Sequence, residues 1–399
     1  MRLEFFPSVA CGEAAAPPSK SAAHRALIAA ALAKGESRVT GVSDSEDMRA
    51  TLDCLTALGA SFQKENGAIR VRGIESVPRE EMVLNCRESG STLRFLIPFA
   101  LSLSRPVRFT GAKRLFERNF EVYEDLCREK GFLFEKGGDF ITVCGSLSGG
   151  DYFLRGDISS QFFTGLFFAL PRCGGASRVT FSTRLESASY LDLTVSVLKE
   201  FGVSVQKEEN GFFIPGGQKF LPCDFTVEGD WSNAAFPEAF SYLGGKVKVT
   251  GLKEDSLQGD RVYRAHFKAI RSGFCTIDLA DCPDLGPVLM ALASLYHGAL
   301  FQNTARLKIK ESDRADAMRE ELGKCGAKIR VEENTVLVEK SRLHAPTLPL
   351  FSHNDHRVAM ALSLVLSRFG GVLEGAESVK KSYPDYWDVI RRLGIKVQE

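Results

Sequence analysis

"GDISSQFFTGLFFALP", residues Gly156 to Pro171, sets Ser159, Ser160 and Gln161 in front of a run that is apolar on every side. A helix with no polar face has to be buried all round, so this one belongs inside a larger body, with its polar start at an edge. The pattern recurs. The chain also reads "PPSKSAAHRALIAAAL", "NCRESGSTLRFLIPFAL", "GDWSNAAFPEAFSYLGG", "DCPDLGPVLMALASLYHG" and "HNDHRVAMALSLVLSRFGG", and Ser19, Ser89 and Ser159 follow one another at intervals of seventy. A second class of segment alternates with the first: a strand, a turn and an amphipathic helix that closes on Gly and another strand. "VTGVSDSEDMRATLDCLTALGASF" and "ARLKIKESDRADAMREELGKCGAKIRV" are two of its six copies. Four closings run on into hairpin-like text such as "ASFQKENGAIRVRG", with Asn or Gly near the turn.

Each repeat therefore holds one buried helix, one amphipathic helix and about four strands. At 399 residues the chain is too long for one ordinary core, and six repeats divide economically into two domains of three. The changeover is expected in "LPCDFTVEGD", and the leading strand "RLEFFP", which has no partner of its own, is expected to pair with the sixth repeat. The expected domains are residues 13–224, and residues 1–12 together with 225–399.

Composition narrows the class of partner. Lys plus Arg number 51 against 50 Asp plus Glu, so the bulk balance points to neither nucleic acid nor an anionic membrane. Ten cysteines lie scattered with no CxxC pair and no nearby His, which reads as reduced thiols in a cytoplasmic protein rather than a metal site. The first twenty residues lack a basic start followed by an apolar core, and runs such as "VAMALSLVLS" fall short of the roughly 20 residues that cross a bilayer. Neither secretion nor membrane spanning is expected.

If the buried helices run parallel within each domain, their N-termini emerge on one face and offer bare N–H groups and partial positive charge. The residues at those points are Lys20, Ser21 and Arg25; Ser89, Gly90, Ser91 and Arg94; Ser159, Ser160 and Gln161; Asp284; and Asp355, His356 and Arg357. Arg118, Ser187, Lys310, Glu311, Arg314 and Lys381 stand near the starts of the second class of helix. Taken singly, each Ser or Asp is an ordinary cap and each cation an ordinary surface charge. The combination is different, because the dipole disfavours a cation at a helix N-terminus by about 0.3 to 1 kcal/mol. So many cations at the wrong end point to an anion there. The serines, the Gln161 amide and bare N–H groups can cradle a phosphate, and Gly90 lets backbone approach another closely. No GxxxxGK[ST] loop occurs, so the anions read as small metabolites rather than nucleotides.

"PPSKSAAHRAL", "ESGSTLRF", "GDISSQF", "KIKESDR", "NDHRVAM" and "KKSYPDYW", in that order along the chain, resemble the 5-enolpyruvylshikimate-3-phosphate (EPSP) synthase family. The resemblance implies a two-domain inside-out α/β barrel of six βαβαββ repeats, closing on its substrates. It implies enolpyruvyl transfer from phosphoenolpyruvate to the 5-hydroxyl of shikimate 3-phosphate through a tetrahedral intermediate, with release of phosphate, on the way to chorismate and the aromatic amino acids. The family match assigns the shikimate part and its carboxylate to Lys20, Ser21 and Arg25, its phosphate to Ser159, Ser160 and Ser187, and the space between the substrates to Gln161. Phosphoenolpyruvate falls to Lys20, Gly90, Arg118, Gln161, Arg314, Arg357 and Lys381, and the reacting hydroxyl to Asp284 and Lys310.

That chemistry needs such a set. The two substrates bring roughly six negative charges together, each contact-distance repulsion being about 4 kcal/mol at an effective dielectric of 20. Asp284 is the candidate base for the hydroxyl. Glu311, protonated by crowding among phosphates, is the candidate acid for the methylene carbon, with Lys20 as the other candidate. Glu311 also reads as a simple partner of Arg314 at helical spacing, and Asp284 as a cap. The scheme needs no metal, nucleotide, cofactor or covalent nucleophile, and a monomer is expected. Glu88, Asn119 and Arg306 depart from the family pattern. The alternatives are the paralogous transferase acting on UDP-N-acetylglucosamine, whose usual loop Cys is absent from "TGAKRLFERNFEV", and a non-catalytic anion-binding scaffold.

Overall fold

The computed structural model describes all 399 residues, and the chain forms two compact units. The first holds Met1–Pro17 and Gly229–Glu399, the second Pro18–Glu228. The crossings thus fall at Pro17/Pro18 and Glu228/Gly229 rather than near residues 12 and 225, and pairing explains the shift. Cys11–Ala15 runs parallel to Lys246–Thr250, and the Ala16 N–H donates to Thr250 O at 2.8 Å, which keeps the chain in the first unit through Pro17. Conversely, Asp224–Thr226 pairs with Glu36–Thr40 and the Ser19 N–H donates to Glu228 O at 2.8 Å, so the second unit extends to Glu228.

The Pro18–Glu228 unit carries three four-stranded sheets of one design. Their orders are Asp224–Thr226, Glu36–Thr40, Ala68–Arg72, Ser61–Glu65; Met82–Asn85, Val107–Thr110, Phe140–Cys144, Leu133–Lys136; and Gly150–Leu154, Ser177–Phe181, Gly211–Ile214, Gln206–Glu208. In each, the first pair is parallel and the rest antiparallel. A parallel pair needs a crossover, and in the second and third sheets this is a buried helix, Gly90–Leu101 or Gln161–Ala169. The other unit repeats the design in Cys275–Asp278, Ala299–Gln302, Thr335–Glu339 and Lys328–Val331. In its last sheet, Leu350–Phe351 and Gly371–Glu374 are followed by Arg2–Phe6, which lies antiparallel between Gly371–Glu374 and Lys396–Gln398. The chain's first strand thus fills a place in its last repeat.

The helices behind the polar starts are buried along nearly their whole length, as in Ala22–Leu32, Phe162–Ala169, Gly286–Ser294 and His356–Ser367. Gly165 lets two of them meet, since a Cβ there would collide with the Tyr123 hydroxyl and with Arg94 O. Pro98, inside Gly90–Leu101, has no N–H for the carbonyl of Arg94 four residues earlier. Tyr123 Oη lies 2.8 Å from that oxygen and supplies a donor in its place. No helix is long and apolar enough to cross a membrane, and all ten cysteines are free.

Candidate active site

In the Pro18–Glu228 unit, two of the three buried-helix starts are capped by their own serines. Ser19 Oγ accepts from Ala22 N–H and Ser89 Oγ from Thr92 N–H, both at 3.3 Å. The third start differs: Ser160 makes no side-chain cap, and the Ser159 hydroxyl accepts only a 3.3 Å bond from Gln161 N–H. Ser187, in the left-handed region at φ 54°, likewise does not cap the helix Ala188–Glu200 that follows it. All three serines are buried. Of the hydroxyls expected to hold a phosphate, those of Ser160 and Ser187 make no cap, and that of Ser159 accepts one long bond from the first helical N–H.

Around them stand cations. Arg25 is only 2% exposed and donates to Thr194 Oγ1 at 2.7 Å, Ser21 O at 2.8 Å, Tyr190 O at 3.2 Å and Thr164 Oγ1 at 3.5 Å. Every one of these acceptors is neutral, and burial pushes the guanidinium down to about 10, which still leaves it charged at neutral pH. Gln161 bridges two helix starts, its Oε1 accepting from Arg94 at 2.8 Å and its Nε2 donating to Ser91 Oγ at 2.9 Å. Arg118 is buried with its Nε unbonded, and a Cβ at Gly90 would collide with its guanidinium. Lys20 Nζ sits 2.8 Å from Asp47 Oδ2, beside a groove of ≈ 440 Å³ lined by Asp47, Arg87 and Glu88. Lys20, Ser21, Arg25, Gly90, Arg118, Ser159, Ser160, Gln161 and Ser187 all lie in this unit.

The other unit gathers Asp284, Lys310, Glu311, Arg314 and Arg357 into one network. Arg314, 1% exposed, is its hub. Its Nε donates to Asp355 Oδ2 at 2.8 Å, one terminal nitrogen to Asp284 Oδ1 at 2.8 Å and the other to Glu311 Oε2 at 2.7 Å. Burial alone would push this guanidinium down, but Asp355, Glu311 and Asp284 together hold it above its ordinary range. Asp284 also meets Lys310 Nζ at 3.1 Å and Arg357 Nη2 at 3.1 Å. Burial pushes the Lys310 ammonium down to about 8, Asp284 opposing and Arg314 and Arg306 adding to the shift. Lys381, buried, donates from Nζ to Asn354 O at 2.6 Å. The Glu311–Arg314 pair at helical spacing is therefore present, but within a larger cluster, and Asp284 is tied to Lys310, Arg314 and Arg357.

Sequence reasoning missed the partners that aim these cations. Asp47 reads as an ordinary first-turn acid behind the Ser45 cap, and nothing in the text ties it to Lys20 twenty-seven positions earlier. Asn354 acts through its backbone oxygen, which carries no residue signature. Among the departures, Asn119 Oδ1 accepts from Glu121 N–H at 2.8 Å, and Arg306 donates to Ala280 O at 3.2 Å.

Residues 8–390 match the family model described as EPSP synthase (3-phosphoshikimate 1-carboxyvinyltransferase). The chain belongs to this family. A 3-phosphoshikimate 1-carboxyvinyltransferase of Clostridium kluyveri is 41% identical, the match covering 97% of this chain and 96% of that one. A protein of the same name from Clostridium novyi is 36% identical, over 100% and 98% of the two chains. Among solved structures, an EPSP synthase of Acinetobacter baumannii superposes with a TM-score of 0.78 at 23% identity, covering both chains completely. The enolpyruvyl transferase NikO of Streptomyces tendae superposes with a TM-score of 0.80 at 15% identity, over 100% of this chain and 98% of that one. At these identities the two structures speak for the fold, the two-domain inside-out α/β barrel of this EPSP synthase family.

Proposed function

We propose that this chain transfers the enolpyruvyl group of phosphoenolpyruvate to the 5-hydroxyl of shikimate 3-phosphate and releases phosphate. The observation that carries the chemistry is the sharing of one buried guanidinium, Arg314, by Asp284 and Glu311, with Lys310 and Arg357 on the same Asp284. Two carboxyl groups fixed by one common cation supply a proton acceptor and, with Glu311 protonated among the substrate anions, a proton donor at set positions, with positive charge beside them for an anionic substrate.

In this reading Asp284 takes the proton of the 5-hydroxyl as its oxygen bonds to the central carbon of phosphoenolpyruvate. Glu311 gives a proton to the methylene carbon, and the result is a tetrahedral intermediate. Glu311 then recovers a proton from the new methyl group, the double bond re-forms, and the carbon–oxygen bond to phosphate breaks, the proton held by Asp284 passing to the departing phosphate. Lys20, ion-paired with Asp47, serves as a fixed charge. Shikimate 3-phosphate lies on Lys20, Ser21, Arg25, Ser159, Ser160, Gln161 and Ser187 of one unit, with Asp284 and Lys310 at its reacting hydroxyl. Phosphoenolpyruvate lies on Lys20, Gly90, Arg118, Gln161, Arg314, Arg357 and Lys381. Arg favours the forked contact with phosphate or carboxylate, and Lys a compact charge. The Pro18–Glu228 unit is read as the shikimate 3-phosphate side, and the other as the source of the catalytic acids. We further read the protein as a cytoplasmic monomer.

Phosphate release from the two named substrates tests this. Wild type is expected to turn over, with Glu311→Gln and Asp284→Ala each slower by about 10²- to 10⁴-fold. Equal, residual release by all three, with shikimate 3-phosphate still bound in calorimetry, would sink the enzyme and leave an anion-binding scaffold. Turnover with UDP-N-acetylglucosamine in its place would assign the paralogous activity.

A further inference from the structure

We infer that Glu321 and His353 are positioning residues for this reaction, holding the segment 351–355 that aims Arg314 and Lys381. Two consecutive residues of that segment, His353 at φ 51° and Asn354 at φ 53°, occupy the left-handed region that side-chain-bearing residues avoid. Something must hold them there. The contacts of Asn354 and of the next residue explain the need: Asn354 O receives Lys381 Nζ at 2.6 Å, and the Asp355 carboxylate receives Arg314 Nε at 2.8 Å and Ser312 Oγ at 3.2 Å. If the segment relaxed to an extended backbone, both acceptors would turn away.

The restraint comes from the far end of the helix that carries Arg314. Glu321, in the same helix Arg314–Gly323, lies seven residues on. At 3.6 residues per turn the two side chains fall on nearly one face, about two turns apart. Its carboxylate is fully buried and accepts from Phe351 N–H at 2.8 Å and from His353 Nε2 at 2.9 Å. Lys324 Nζ, 2.8 Å from both oxygens, compensates its charge, and Glu320 Oε2 stands 4.0 Å from His353 Nε2 on the solvent side. Burial alone would push Glu321 up, but the bonds from His353, Lys324 and Phe351 N–H hold it below its ordinary value, so it is an acceptor at neutral pH. His353 Nε2 therefore carries the hydrogen. One helix thus staples the segment twice, through Arg314 to Asp355 and through Glu321 to Phe351 and His353. The Phe351 ring, 5.2 Å from the His353 ring, completes the contact.

The inference rests on the reading above, and steady-state kinetics separates the two. If wild type does not turn over phosphoenolpyruvate and shikimate 3-phosphate, the reading itself has failed. With an active wild type, His353→Phe keeps the ring and removes the donor, and His353→Gln restores an N–H at a similar reach. We expect His353→Phe to raise KM for phosphoenolpyruvate about tenfold, with KM for shikimate 3-phosphate changed less than threefold, and His353→Gln to recover most of the loss. Glu321→Gln, which keeps the shape but loses the charge and turns one of the two acceptor oxygens into an N–H donor, should raise KM for phosphoenolpyruvate by a similar factor to His353→Phe. If His353→Phe and Glu321→Gln lower the melting temperature yet leave kcat and both KM values within twofold of wild type, the positioning role is refuted. The same holds if His353→Gln is as impaired as His353→Phe.

Discussion

Two guanidinium groups, Arg25 and Arg314, are buried to nearly the same degree, at 2% and 1% exposure, and are treated in opposite ways. Arg25 is held by threonine hydroxyls and backbone oxygens, and burial pushes it down. Arg314 is held by Asp284, Glu311 and Asp355, which more than offset burial and hold it up. A cation set among neutral partners keeps its field for an incoming anion. One surrounded by carboxylates has much of its charge compensated, and besides meeting phosphoenolpyruvate it fixes those carboxylates in place. We read the first as built for binding and the second as built for chemistry.

Removing each group is the sharpest way to break this comparison. Arg314→Met leaves three carboxylates without their shared cation, one of them, Asp355, wholly buried. Such a loss is expected to destabilise the fold by about 3–5 kcal/mol and to abolish turnover, as read by urea denaturation and phosphate release. Arg25→Met leaves only neutral acceptors behind, and Thr164 and Thr194, 3.0 Å apart, can satisfy each other. Its stability loss should stay near 1–2 kcal/mol while KM for shikimate 3-phosphate rises roughly 10- to 100-fold. Equal destabilisation by the two changes would erase the distinction.

Lys310 stands between the extremes and gives the smallest effect. Its folded pKa of about 8 lies below the roughly 10.4 of an unfolded lysine, so its charge is lost from the folded protein first as pH rises. Shikimate 3-phosphate should bind about tenfold more weakly by pH 9 than at pH 7, and Lys310→Arg should flatten that limb. Between pH 8 and about 10.4 the unfolded chain binds more protons at this position than the folded one. From this group alone, stability therefore rises with pH across that window. A binding profile that falls alike in wild type and Lys310→Arg would assign the limb to another residue.

Much of the fold was legible in the text because burial is periodic. An all-apolar helix such as Gln161–Ala169 has to be inside, and its six copies, most of them about seventy residues apart, give the count of repeats. The polar starts were legible too, since cations at helix N-termini run against the dipole and stand out. The unit boundaries were misplaced by a few residues, because they depend on Cys11–Ala15 finding Lys246–Thr250 and on Ser19 N–H reaching Glu228 O, bonds that backbone atoms make regardless of side chain.

Sequence by itself settled which residue types gather at the ends of buried helices, because hydrophobic period and helix polarity are local properties. Only the tertiary structure decided which charge faces which: Asp47 on Lys20, Asp355 on Arg314, Glu321 on His353. Those pairings join positions far apart in the chain through the packing of whole helices. Whether a buried cation meets a carboxylate or a hydroxyl is therefore a property of the fold.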